Sequence, residues 1–232
     1  MTDLNDILQR AHAQWRTGHH SDAAELYGQA VKHLEECGET DSPRFLVALQ
    51  GLAESVAPPG RANPEQCELA LSYLRRALDI VETTMGACSE RLIGILCSTG
   101  SLLVQAGRER EALPYMQRAL AVGESVYGCD HRANFLSLMA LFNCFMMLNA
   151  ANEAMPLARR LLQMRQNAAA YIDLALCLKM AGQLVEAREH FAKASDLIRL
   201  QYGENAPDRV KQLNDWIEEI DREMLGTITK TE

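Results

Sequence analysis

YIDLALCLKMAGQLVEAREHFAKAS, residues 171–195, reads as two amphipathic helices joined at Gly182. Its second half sets the bulky Phe191 between Ala187 and Ala194. Two packed helices come close only where the facing side chains are small, so each alanine makes a notch that leaves room for the phenylalanine. The same triplet recurs outward along the chain as Ala112-Met116-Ala119 and Ala23-Tyr27-Ala30, and Ala175, Gly100 and Ala11 supply small partners on the preceding helices. Ala70, Leu74, Ala77, Glu82 and Gly86 fall on Ala112, Met116, Ala119, Glu124 and Gly128 at one shift of 42 residues (112 − 70 and 128 − 86). The run from Ala187 to Gly203 keeps the 16-residue span of Ala112 to Gly128. Such a period marks a stacked array of helical hairpins.

The pattern predicts an all-α chain with a single domain over residues 1–225. Five hairpins are expected at about 4–36, 44–85, 91–126, 131–165 and 168–201, then an end helix at about 207–225 and a flexible tail at 226–232. Gly18 ends the first helix and Ser21 or Asp22 is placed to cap the second. Pro58-Pro59-Gly60 breaks the chain inside the second hairpin, and Asn63-Pro64-Glu65 restarts it with a cap, a proline at the first position and an acid near the positive end of the dipole. The segment Val210, Leu213, Trp216, Ile217, Ile220 and Met224 is amphipathic and suits a cover for the end of the stack.

Composition narrows the function. A net charge of −8 disfavours general nucleic-acid binding, because phosphate backbones reward surplus Lys and Arg. The charge is uneven: 14 acids against 7 bases over residues 1–90, 5 against 8 over 91–170 and 12 against 8 over 171–232. An acidic peptide could therefore be steered to the basic middle section. Seven cysteines, with Cys67, Cys97, Cys144 and Cys177 in apolar helical stretches, suit reduced thiols and a cytoplasmic setting. MTDLNDILQR has no basic and then apolar region of a secretory signal, and the apolar run 135–148 is too short to cross a bilayer.

The notched hairpins resemble the tetratricopeptide repeat, most fully in residues 171–195 through Leu174, Ala175, Gly182, Ala187, Phe191 and Ala194. The long period and the connectors GETDSPRF (38–45), GACSERL (86–92), GCDHRANF (128–135) and GENAPDRV (203–210) resemble the kinesin-light-chain-like branch. Asp41 or Ser42, Asp130 and Asn205 keep the capping logic of those connectors. The resemblance implies a right-handed α-α superhelix. Repeat four departs from it, being shorter and placing Phe142 and Leu161 where small residues are expected.

In this family the first helices of successive repeats line a concave groove that binds peptides or partner helices. Carried over by position, the groove takes Leu8, His12 and Trp15 from repeat one and Cys97, Ser98, Ser101 and Gln105 from repeat three. Repeat four gives Met139, Asn143, Met146 and Met147, and repeat five gives Asp173, Leu176, Lys179 and Met180. The Lys and Asn set that grips a terminal carboxylate in the chaperone-binding branch is absent from these positions, whereas Asn143 matches the branch's backbone-holding asparagines. Independently of family, FLSLMALFNCFMML is apolar nearly all round and should be buried nearly all round. Its methionines then either floor a binding groove or fill a core.

Chemistry-bearing constellations are sparse. His33 and Cys37 sit one helical turn apart, but two ligands make no metal site. His19-His20 reads as a surface turn, and Asp130-His131 beside Cys129 reads as a helix cap before a nucleophile. Residues 94–100 lack phosphate-loop spacing, and Arg159, Arg160 and Arg165 suit a solvated face before an acidic partner site. The expectation is a non-catalytic protein–protein adaptor with no cofactor and no metal. Two alternatives stay open: a self-associating homo-oligomeric subunit, and a ligand-responsive peptide-binding regulator, which would lack its DNA-binding segment within this chain.

Overall fold

The computed structural model describes residues 3–60, 62–203 and 207–228. All regular structure among them is helical. It comprises α1 (Leu4–Arg16), α2 (His20–Glu36), α3 (Pro43–Val56), α4 (Pro64–Met85), α5 (Arg91–Gln105), α6 (Glu109–Tyr127), α7 (Phe135–Met147), α8 (Ala151–Met164), α9 (Ala168–Met180), α10 (Leu184–Tyr202) and α11 (Pro207–Ile228), with a 3₁₀ turn at Arg132–Asn134. Two compact units result, Met1–Ala140 and Leu141–Glu232.

In the first unit, α1 to α5 each pack on the next helix in sequence, and α6 packs on α5 and the 3₁₀ turn. The notches do what their size suggests: Ala23, Ala30, Ala70, Ala77, Ala112 and Ala119 are wholly buried, and Tyr27, Leu74 and Met116 between them are at most 4% exposed. A Cβ built on Gly100 would stand 2.7 Å from Met116 Cγ, so the predicted small partner does face its bulky residue. Tyr27 goes further and lays its ring against Gly51 of α3, a contact across repeats that the triplet alone does not announce.

The second unit is built the same way. Ala175, Ala187, Phe191 and Ala194 are wholly buried where α9 meets α10. The terminal helix α11 then covers that hairpin, burying Leu213 and Ile220 and setting Trp216 against Phe191 with ring centroids 5.2 Å apart. Lys179 to Glu219 at 2.7 Å and Arg188 to Asp221 at 2.6 Å fasten its outer edge. Helix α11 continues to Ile228; residues 229–232 of the expected tail, like the connector's Asn205, lie outside the described residues.

Several caps differ from expectation. Ser21 and Asp22 do not cap α2, which starts at His20 after an N-cap at His19 that makes no side-chain cap bond. The reason is the tight turn at Gly18 (φ +82°), where His19 N–H closes onto the Gln14 carbonyl at 3.0 Å and brings the helix start forward. At the third connector His131, not Asp130, accepts the cap bond, its Nδ1 lying 3.2 Å from the Ala133 N–H, because a 3₁₀ turn intervenes before α7. Ser42 rather than Asp41 caps α3. Asn63 caps α4 as expected and forms a full capping box with Gln66, at 2.8 and 3.0 Å.

Candidate functional site

The first helices of the first unit converge on a cavity of about 360 Å³. Its walls include Trp15 of α1, and Cys97, Ser98, Ser101 and Gln105 of α5, which the sequence placed in one groove. The structure adds Ala53 and Glu54 of α3, Ala57 and Pro59 of the connector that follows, and Leu136 and Ala140 of α7. Leu8 and His12 stay on α1 outside the cavity, with His12 stacked along its own helix on Trp15 at 6.2 Å.

Most of the lining is apolar, and its polar part is a linked set. Gln50 Nε2 donates to Glu54 Oε1 at 3.1 Å and to Ser98 Oγ at 3.1 Å, and the Ser98 hydroxyl donates to the same carboxylate oxygen at 2.9 Å. Gln105 Nε2 donates to the Pro58 carbonyl at 3.0 Å and so ties the inserted connector to α5. The enclosed indole N–H of Trp15 has no acceptor among the described residues. Cys97 Sγ lies 3.5 Å from Ser137 Oγ, and burial pushes its thiol pKa up, the opposite of what a nucleophile needs. No group of three or more His, Cys, Asp or Glu among the described residues could hold a metal ion, although His33 and Cys37 do meet at 3.9 Å.

The tetratricopeptide-repeat family profile matches residues 96–133, which run from within α5 through its turn and α6 into the third connector. The chain therefore carries a tetratricopeptide repeat over that stretch. Its fold is similar to the nearly identical TPR-like repeats named for a kinesin light chain of Podosopora anserina (TM-score 0.73, 17% identity, 87% of this chain and 99% of that one). It is also similar to BtubC (BKLC) from P. vanneervenii (TM-score 0.71, 18% identity, 83% and 78%) and to the MamA protein (TM-score 0.61, 15% identity, 86% and 95%). No curated protein matches it in sequence. The fold is thus similar to that of tetratricopeptide-repeat solenoids, the kinesin-light-chain repeats among them.

The remaining positions expected in the groove fall at or beyond α7. Met147 is 58% exposed and Asn143 is exposed, so neither fills a core, whereas Met139 and Met146 are half-buried. The helix expected to be buried all round also leaves Leu136 72% exposed. In the second unit Cys177 Sγ packs 3.3 Å from Met146 Sδ. Lys179 is committed to Glu219, and Met180 is 45% exposed.

Asp173 is half-buried, and desolvation pushes its carboxyl up to about 6 from 3.8. Between those values the native state holds a proton that the unfolded chain releases. This group's contribution to stability therefore falls as pH rises from about 4 to about 6, and the charged carboxylate penalises the fold above that. Asp173→Asn is expected to stabilise the protein at pH 7 by on the order of 1 kcal/mol, a figure already reduced for the partial exposure of the side chain, and to do nothing at pH 3.5. Urea denaturation of both proteins at the two pH values reads this difference.

Proposed function

We propose that this protein is a non-catalytic scaffold that binds an extended segment of a partner protein against its first helices, with the cavity of the first unit as the principal anchor point. The observation that carries this reading is the convergence of Trp15 from repeat one with Ser98, Ser101 and Gln105 from repeat three on one cavity. Its volume of about 360 Å³ sits at the small end of ligand pockets, roughly 300–1,000 Å³, and suits one or two side chains of a bound segment. The Ser and Gln side chains along the rim offer hydrogen bonds to a peptide backbone.

Charge bears on the partner. The arginines of the basic middle section are partly spent at home: Arg108 pairs with Glu68 and Glu111, Arg118 with Glu82, and Arg159 with Glu186 at 3.7 Å. No Lys or Arg appears among the described residues that line the cavity. The groove is therefore the better candidate than the basic section, and an acidic partner loses its main attraction.

All seven cysteines are free thiols, and no helix among the described residues is long and apolar enough to cross a membrane; a cytoplasmic location belongs to the same proposal. The test is a peptide-display selection followed by amide chemical-shift mapping of the best binder. Shifts are expected around Ser98, Ser101 and Gln105. Shifts confined to the second helices α4 and α6 would overturn the groove, and a concentration-resistant dimer that selects no peptide would favour self-association.

A further inference from the structure

Resting on that groove reading, we infer that the cavity is selective for a large apolar side chain with an Arg or Lys beside it. The apolar half of the preference comes from the connector after α3. Ala57 and Pro59 wall the cavity on that side, and the Gln105 side chain holds the Pro58 carbonyl at 3.0 Å. Two successive prolines restrict the backbone there, so the wall stands before a partner arrives and little ordering entropy is lost on binding. Leu136, 72% exposed, adds an apolar lip on α7.

The basic half comes from Glu54. Both of its hydrogen bonds, from Gln50 and Ser98, fall on the single oxygen Oε1. They fix the carboxylate against the cavity wall without neutralising it, and no cation is present among the described lining residues to do so. A carboxylate held beside apolar surface attracts a cation more strongly than one in open water. Trp15 lines the same cavity and offers an aromatic face to a guanidinium.

The test runs one peptide-display selection in parallel on the wild type, Glu54→Gln and Ser101→Trp, each checked by thermal melting, and then measures the best wild-type peptide by calorimetry. Ser101 is exposed, so the tryptophan is expected to plug the cavity without unfolding the chain. The expected wild-type motif pairs Phe, Leu or Trp with Arg or Lys, basic neighbours outnumbering acidic ones at least fivefold. Glu54→Gln is expected to keep the apolar anchor, lose the basic preference and weaken the best peptide at least tenfold. Ser101→Trp is expected to lose both. A wild-type motif with acidic or indifferent neighbours, or a basic preference that survives Glu54→Gln, overturns this inference and leaves the groove reading standing. A motif unchanged by Ser101→Trp, or no enrichment at all, overturns both.

Discussion

Phe191→Ala is expected to cost about 3–5 kcal/mol, the range for truncating a fully buried aromatic side chain. Phe191 is wholly enclosed; its two flanking alanines, themselves without exposed surface, cannot move in to fill the space, and its ring supports Trp216 of α11 at 5.2 Å. The loss has two parts: the transfer energy of the ring, and the void left between α10 and α11, which rigid neighbours close only in part. Phe191→Leu keeps most of the volume and should cost less than about 1.5 kcal/mol. The chain has two tryptophans, Trp15 and Trp216. In a Trp15→Phe background the fluorescence of Trp216 reports on the second unit by itself. A urea midpoint in that background that moves no more for alanine than for leucine would refute the notch-and-knob account of this hairpin.

That account was legible in the sequence because it depends on side-chain size at fixed spacing. Alanines at 23, 30, 112, 119, 187 and 194 are notches whatever the surroundings, and the structure buries every one. Helix starts were less legible where two candidate caps adjoined. His19 and His131 took the cap positions over Ser21, Asp22 and Asp130 because the preceding glycine turns and a 3₁₀ turn decide where the helix begins, and composition does not report that. The candidate site divides along the same line. Trp15, Ser98, Ser101 and Gln105 follow from helical position, and the structure gathers them. Glu54, Pro59 and Leu136 could not be reached from position alone, since the inserted connector hid the register of α3 and the wall it builds is a long-range contact. Asn134 shows a similar gap. Nothing in the connector's sequence singles it out, yet it is 1% exposed and its Nδ2 donates to the Gly128 carbonyl at 2.7 Å and to the Cys129 carbonyl at 3.2 Å, closing the third connector over Gly123. A buried amide can be inferred only once its neighbours are known.

Two glycines inside helices give the same substitution opposite signs. In a helix interior glycine costs roughly 0.5–1 kcal/mol relative to alanine, because the unfolded chain loses more freedom there. Gly28 of α2 has nothing within 4 Å of where a Cβ would stand, so Gly28→Ala should recover most of that and stabilise the protein by about 0.5–1 kcal/mol. At Gly51 of α3 a Cβ would come within 3.0 Å of Cζ, Cε1 and Cε2 of Tyr27. That ring is 4% exposed and rigid, so relief requires α2 and α3 to part or the ring to leave its rotamer. Overpacking of this kind outweighs the propensity gain, and Gly51→Ala is expected to destabilise by about 2 kcal/mol. Gly100 makes the intermediate case: its would-be Cβ meets Cγ of the buried Met116 at 2.7 Å and its terminal methyl at 3.0 Å, so Gly100→Ala should also destabilise, but by less than Gly51→Ala because an unbranched thioether can change rotamer where a ring cannot. Pairing Gly51→Ala with Tyr27→Leu isolates the cause, since a smaller, bendable side chain frees the space the new methyl needs. The double variant should then lose clearly less than the sum of the two single losses, and strict additivity in urea unfolding would mean that Tyr27 is not what keeps position 51 free of a side chain.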